Sequence, residues 1–284
     1  MLLLPDLRRG YVQLATWLLD RGQPVVSRGL STLELTGVTL DFPDPTGVML
    51  PIGVNRKINT RLAAVEALQL VSGNGDPSLL LRASPSYADV LVHPENLTYG
   101  SYGLRLRHQW DSLIGLLRRE PDTRRAVLSI WREDDLTHDG DRPCTLTLQF
   151  LVRDDRLELI VNMRSQDLYR GVPYDVFMFS QAQLSLAAQL GVGVGRYTHH
   201  VGSLHVYDTD RDALGMLVTP VDAVPRGAYP AGVVSVTPDV TYFTEVAQFL
   251  LEGGCDEFEL ELNPWYAHQL ASLPPVDAEA RRGK

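Results

Sequence analysis

The sequence predicts an α+β fold, a large twisted mixed β-sheet packed against helices. Three observations carry that expectation. Strand-like and helix-like segments succeed one another without the regular alternation of a βαβ chain. Residues 145–152 and 156–163 read as two strands joined by the tight Arg153-Asp154-Asp155 connection. Residues 174–190 are apolar nearly all round, with Val176, Phe177, Met178, Phe179, Leu184, Leu186 and Leu190, which marks a central buried helix. With 284 residues, 44% of them hydrophobic and 21% charged, the chain can bury a substantial core, and 1–284 reads as a single domain.

The other elements follow in order. Residues 6–20 set Leu7, Tyr11, Leu14, Trp17 and Leu18 at helical spacing. Residues 31–42 alternate on either side of Thr36-Gly37 and read as a β-hairpin, preceded by the turn Ser27-Arg28-Gly29. Residues 59–71 place Leu62, Val65, Leu68 and Val71 on the apolar side of a helix that carries Glu66. That helix stops at the breaker run Ser72-Gly73-Asn74-Gly75-Asp76-Pro77. Residues 77–100 are Pro-rich and polar, an irregular accessory segment. A helix at 108–119 buries Trp110, Leu113, Ile114 and Leu117, and Pro121-Asp122-Thr123-Arg124-Arg125 leads into a strand at 126–131. Later strands are expected at 201–207, 230–236 and 256–262, and the tail after Pro274 frays.

Composition narrows the function. A net charge of −9 weighs against a general nucleic-acid or acidic-membrane binder, so an anionic ligand needs a local cluster of arginines. No apolar run approaches the ~20 residues of a membrane helix. The start, Met1-Leu2-Leu3-Leu4-Pro5, lacks the basic flank of a secretory leader, and the expected location is the cytoplasm. The two cysteines, Cys144 and Cys255, build no disulfide framework, and no zinc-type spacing occurs, so no metal is expected. Cys255 reads as a small buried hydrophobe, and the adjacent His199-His200 as a surface or loop pair.

Chemistry-bearing residues concentrate between positions 142 and 207. They run Arg142-Pro143-Cys144-Thr145, Leu148-Gln149-Phe150, Arg164-Ser165-Gln166-Asp167, Gly171-Val172-Pro173-Tyr174-Asp175 and His205-Val206-Tyr207. A thiol near arginines suits a nucleophile, because a neighbouring guanidinium such as that of Arg164 lowers its pKa. Arg124 and Arg125 point to opposite faces at a strand start and read either as a solvated turn or as a bidentate phosphate clamp. Taken alone, Arg28 is a loop cation and Glu66 an exposed helix charge.

In these residues the chain resembles the thymidylate synthase family, which includes the cytidylate hydroxymethylases, over roughly residues 28–261. The specific matches are Pro143-Cys144, Gln149-Phe150, Arg164-Ser165-x-Asp167, Gly171-Val172-Pro173-Tyr174 and His205-x-Tyr207, supported by Tyr102-Gly103 and the 121–125 stretch. The resemblance implies a homodimer paired through its sheet, binding a pyrimidine nucleoside monophosphate and 5,10-methylenetetrahydrofolate. It implies that Cys144 adds to C6 of the pyrimidine, that Glu66 organises water and proton transfer, and that Tyr102 serves removal of the C5 proton. Arg28, Arg164 and Ser165 would hold the 5′-phosphate, with Arg124 and Arg125 reaching it from the partner subunit. Gln149 joins the substrate residues, and His205 and Tyr207 would bind the sugar 3′-hydroxyl. Asp167, Gly171, Val172 and Tyr174 would line the folate side.

Departures from the family pattern point to the reaction. The synthases carry Asn where this chain has Asp175. Uracil shows an N3 donor and an O4 acceptor, which an amide matches; cytosine shows the inverse edge, which a carboxyl group matches when one proton is shared with N3. Gln69 stands where the synthases place a Trp that shields the exocyclic carbon from water, and Thr145 stands where they have His. The run Glu259-Leu260-Glu261-Leu262-Asn263-Pro264 lacks their Tyr. The expectation is therefore a folate-dependent hydroxymethylase of dCMP, with CMP open. Its alternatives are a thymidylate synthase acting on dUMP, a dCMP methyltransferase, or a catalytically idle nucleotide- or RNA-binding relative.

Overall fold

Strand pairing converges on one long strand. In a computed structural model of the chain, residues 1–47, 50, 56–89, 99–139, 142–218, 240–252 and 264–274 are described. One edge of β3 (Leu30–Phe42) takes β1 (Leu2–Leu3) in parallel and β2 (Gln23–Ser27) antiparallel, end to end. Its other edge pairs antiparallel with β7 (Gly193–Tyr207), which runs parallel to β6 (Arg156–Asp167). Antiparallel β5 (Thr145–Arg153) and β4 (Val127–Ser129) complete a mixed sheet of seven strands among the described residues. The α+β expectation stands.

The expected hairpin around Thr36-Gly37 is instead one continuous strand. Gly37 takes a positive φ of 65° while its neighbours Thr36 and Val38 stay in register with Ser203 and Val201. The reversal lies earlier, at Arg28-Gly29, where φ values of 52° and 77° suit a two-residue hairpin turn closing the Ser27–Leu30 pair. At the Arg153-Asp154-Asp155 connection the expected reversal is found, with positive φ at Asp154 and Asp155. Strand β7 starts well before the expected residue 201, and β6 runs past the expected 163, because the apolar alternation continues through polar site residues.

Helices cover the sheet. The first, α1 (Leu7–Arg21), buries Leu7, Tyr11, Leu14 and Leu18 as expected. Next, α2 (Thr60–Ser72) is capped by Asn59, whose Oδ1 accepts the Leu62 N–H at 3.1 Å, and ends at Gly73 with φ 67°. Residues 77–100 are not wholly irregular. Asp76 caps α3 (Pro77–Ala83) and a 3₁₀ turn follows at Pro85–Asp89, proline supplying the first helical turn rather than a break. Beyond the short α4 (Tyr102–Leu106) and α5 (Trp110–Arg119) comes α6 (Val172–Leu190), buried along most of its length and packed on α2 and β6. Between β6 and β7 a register irregularity separates the Leu157 and Leu159 pairings, and Gln183 on α6 donates to the carbonyls of Leu157 (2.8 Å) and Gly195 (3.1 Å) there. The remaining helices are α7 (Asp208–Gly215), α8 (Val240–Leu251) and α9 (Pro264–Ala271). No helix among the described residues is long and apolar enough to cross a membrane. The strands expected at 230–236 and 256–262, Cys255 and the tail after Pro274 lie outside the described residues.

A buried ion pair fastens α4. Arg105 donates to both carboxylate oxygens of Asp135 at 2.7 and 2.8 Å, and to the carbonyls of Ile130 (2.9 Å) and Tyr99 (2.8 Å). Burial works to raise the Asp135 carboxyl, but the Arg105 fork and the Arg132 N–H outweigh it and hold the group at about 2. Removing one partner leaves the other charge buried and unpaired. Arg105→Leu is expected to destabilise the fold by about 3–5 kcal/mol, read as a lowered urea midpoint; an unchanged midpoint would show the pair to be dispensable.

Candidate active site

Register builds the site. Strand β6 sets Ser165 beside Ser203 and Asp167 beside His205, and β3 sets Glu34 beside His205 and Thr32 beside Tyr207. These side chains share one face, while the alternating Gln166, Leu204 and Val206 point into the core. The shared face floors a cleft of about 570 Å³. Arg28 from the β2–β3 turn, Arg142, Arg164 and Cys144 complete its wall, with Trp131 and Asp139. Three guanidinium groups on one cleft offer planar bidentate donors to an anion, set among the carboxyl groups of Glu34, Asp139 and Asp167 that line the same cleft.

Cys144 is half-buried at the mouth of β5. A β-bulge between Thr145 and Thr147 follows it immediately, a device that re-aims a side chain. The N–H groups of Cys144 and Thr145 both donate to the Tyr102 hydroxyl, at 3.3 Å each. Arg164 buckles the approach, its side chain donating to the carbonyls of Pro143 (2.9 Å) and Arg142 (3.1 Å) while lying over the Trp131 ring. The Thr145 side chain is fully buried beside the same Tyr102 hydroxyl.

A second group joins the cleft through Cys144 rather than lining it. Tyr102 on α4 touches Cys144; burial, then the Cys144 and Asp175 charges, raise its phenol well above the ordinary value. Burial pushes the Asp175 carboxyl, in the first turn of α6, up to about 7. Gln166 opposes this by donating its NH₂ to Asp175 Oδ2 at 3.0 Å, and the Asp167 charge adds to it. Glu66 on α2 is raised to about 8, by burial and then by Asp175. The approach at Gly171 is close, since a Cβ there would meet Asp167 O at 3.1 Å and Asp175 Oδ2 at 3.2 Å, tighter than ordinary van der Waals contact.

On the expected folate side, Asp167 Oδ1 accepts the N–H groups of Tyr169 (2.7 Å) and Arg170 (2.9 Å), while Oδ2 is buried with no hydrogen-bond partner. Val172 is buried, and the Tyr174 hydroxyl accepts the Asn59 N–H at 3.2 Å. Other expected residues stand apart from this chain's cleft. Gln149 donates to the Arg124 carbonyl at 3.0 Å, Arg124 is exposed, and Arg125 pairs with the exposed Glu120 at 2.6 Å.

Two readings need correction. Gln69 does not line the described cleft; it is buried and donates to the Asp76 carbonyl at 2.6 Å. His199 is not a surface residue but lies 0% exposed on β7, because adjacent strand residues take opposite faces. Only His200 looks outward, bonded to Thr39 Oγ1 at 3.0 Å. Sequence reasoning missed Arg142 as a cleft cation, although it stands two residues before the cysteine. It also missed Ser203, which period-2 spacing from His205 places on the cleft face.

The thymidylate synthase family model matches residues 9–227. The chain belongs to the thymidylate synthase family. It is 26% identical over 235 residues to a bifunctional dihydrofolate reductase-thymidylate synthase of Paramecium tetraurelia, covering 72% of this chain and 50% of that protein. The chain thus spans about half the length of that protein.

Both raised carboxyl groups link stability to pH. Glu66 and Asp175 hold protons in the folded chain, near 8 and 7, that the unfolded chain releases near pH 4. Their contribution is greatest at the acid end of that window and is lost as pH rises through the folded values. Glu66→Gln keeps the neutral state at every pH. Its urea midpoint is expected to fall less than that of the parent chain between pH 5 and pH 8.5, and parallel declines would refute the linkage.

Proposed function

We propose that this chain is a folate-dependent 5-hydroxymethylase of cytidylate, acting on dCMP or on CMP. One observation carries the reading: a carboxyl group, not an amide, occupies position 175, half-buried and poised at about 7. In that state it can hold one proton and accept another, which is what an N3 acceptor beside an N4 donor requires. Uracil inverts that edge and leaves buried polar groups mismatched, at a cost of about 1–3 kcal/mol each.

The remaining roles follow from position. Arg28, Arg142, Arg164 and Ser165 receive the 5′-phosphate, and His205 and Tyr207 receive the sugar. Arg124 and Arg125 stand clear of their own cleft, as they must if each serves the partner's site in a homodimer paired through the sheet. Cys144 adds to C6, which makes C5 nucleophilic. Glu66, neutral at pH 7, supplies a proton to the base, and Tyr102, against the Cys144 backbone, serves the proton leaving C5. Asp167 Oδ2, which accepts no hydrogen bond and has the Arg170 guanidinium at 4.0 Å, fits an N–H of the pterin, with Gly171, Val172 and Tyr174 beside it. When bound, 5,10-methylenetetrahydrofolate supplies the one-carbon unit at the aldehyde oxidation level.

A second reading, thymidylate synthase acting on dUMP, is favoured by the likeness to the Paramecium tetraurelia enzyme. Tritium release from C5-labelled dCMP, CMP and dUMP, followed by product mass, separates the two. A cytosine nucleotide is expected to release tritium and gain a hydroxymethyl group without forming dihydrofolate; release from dUMP alone overturns the proposal. Cys144→Ser is expected to abolish release, whereas an idle relative would show none to lose. Asp175→Asn is expected to move the dCMP-to-dUMP preference toward uracil by roughly ten- to a hundredfold.

A further inference from the structure

Behind Asp175 runs a polar chain that none of the roles above uses. The Tyr197 hydroxyl lies 2.6 Å from His199 Nδ1, His199 Nε2 lies 2.6 Å from Gln166 Oε1, and Gln166 Nε2 lies 3.0 Å from Asp175 Oδ2. Tyr197 and His199 are 0% exposed and Gln166 is 2% exposed, packed among rings of Phe42 and Phe179. Three polar side chains so deep in an apolar core cost stability unless each is paired, and apolar residues would fill the same space without that demand.

Donor and acceptor chemistry gives the chain a direction. Burial, and then His200, push His199 down to about 3, so its ring is neutral with one N–H. A carboxylate at 175 only accepts, so the Gln166 NH₂ must face it and the amide oxygen must face His199. Nε2 then carries the hydrogen, and Nδ1 accepts from the Tyr197 hydroxyl. The reverse order requires an amide flip, the other imidazole tautomer and a proton on Oδ2, all together.

We propose that Gln166, His199 and Tyr197 are positioning residues that pin the Asp175 carboxyl and confine its proton to Oδ1, and thereby make the site selective for one pyrimidine edge. A carboxyl group pinned this way matches one edge; unpinned, it places its proton on either oxygen and matches both. This rests on the reading that Asp175 faces the base.

The test compares Gln166→Leu, Tyr197→Phe, their combination and Asp175→Asn by C5 tritium release, measuring kcat/KM for dCMP and dUMP against pH. Other titratable groups facing Asp175 are Glu66 from α2, Asp167 from β6, Tyr102 from α4 and Tyr197 from β7, and all but Tyr197 are kept in every variant. Gln166→Leu is expected to narrow the dCMP-to-dUMP ratio about tenfold, mainly by raising dUMP turnover, and to move the ionisation midpoint up by about one pH unit. Tyr197→Phe, which removes one hydroxyl and leaves the core filled, shifts both readouts the same way by less. The combination adds nothing to Gln166→Leu, since both cut one chain. Unchanged ratio and midpoint in Tyr197→Phe and Gln166→Leu, with Asp175→Asn still inverting the preference, overturn the positioning role alone. An Asp175→Asn protein with the parent preference overturns the base-reading assignment and this inference together.

Discussion

Two carboxyl groups, Glu66 on α2 and Asp175 on α6, are drawn away from water by the same packing, and after that burial the Asp175 charge makes Glu66 harder still to ionise. Helix packing imposes this. The apolar girth of α6 forces it against both the sheet and α2, and the polar residues in its first turn are carried inward with it. The helix N-terminus favours an anion at Asp175, yet burial outweighs that help. A side chain that would be a fixed charge on a surface becomes a group whose proton can move.

Much of this was legible in the sequence, and the reason is periodicity. The central helix and the strands around Arg153-Asp154-Asp155 announce themselves because alternation and helical spacing are local signals. Long-range facts were not. The hairpin was misplaced because Gly37 looks like a turn residue while the neighbouring pairs with Ser203 and Val201 hold it inside a strand. Residues 77–83 form a helix despite an opening proline, which a first turn tolerates. His199 was misread because its burial depends on which strands flank β7, and nothing within the His199-His200 pair records that.

The site divides along the same line. Cys144, Arg164, Ser165, Asp167, His205 and Tyr207 were read from motifs and come together on one cleft. Arg142 and the Tyr197–His199–Gln166 chain were not read, since their meaning lies in neighbours far along the sequence. Tyr102 gains its place from the buried Arg105–Asp135 pair three residues further along the same short helix. Five residues of helix are too few to hold an orientation alone, and the ion pair supplies the anchor.

The bulge beside the nucleophile has a mechanical consequence. Thr145 before it and Leu148 and Phe150 after it are all 0% exposed, which strict alternation along one strand forbids. Leu146 is the spacer that re-phases the strand, and its carbonyl ties down the N–H groups of Ile130 (2.9 Å) and Trp131 (3.1 Å). Straightening that bulge with every residue kept would rotate everything on its N-terminal side by half a turn, swapping the thiol's outlook for that of its threonine neighbour.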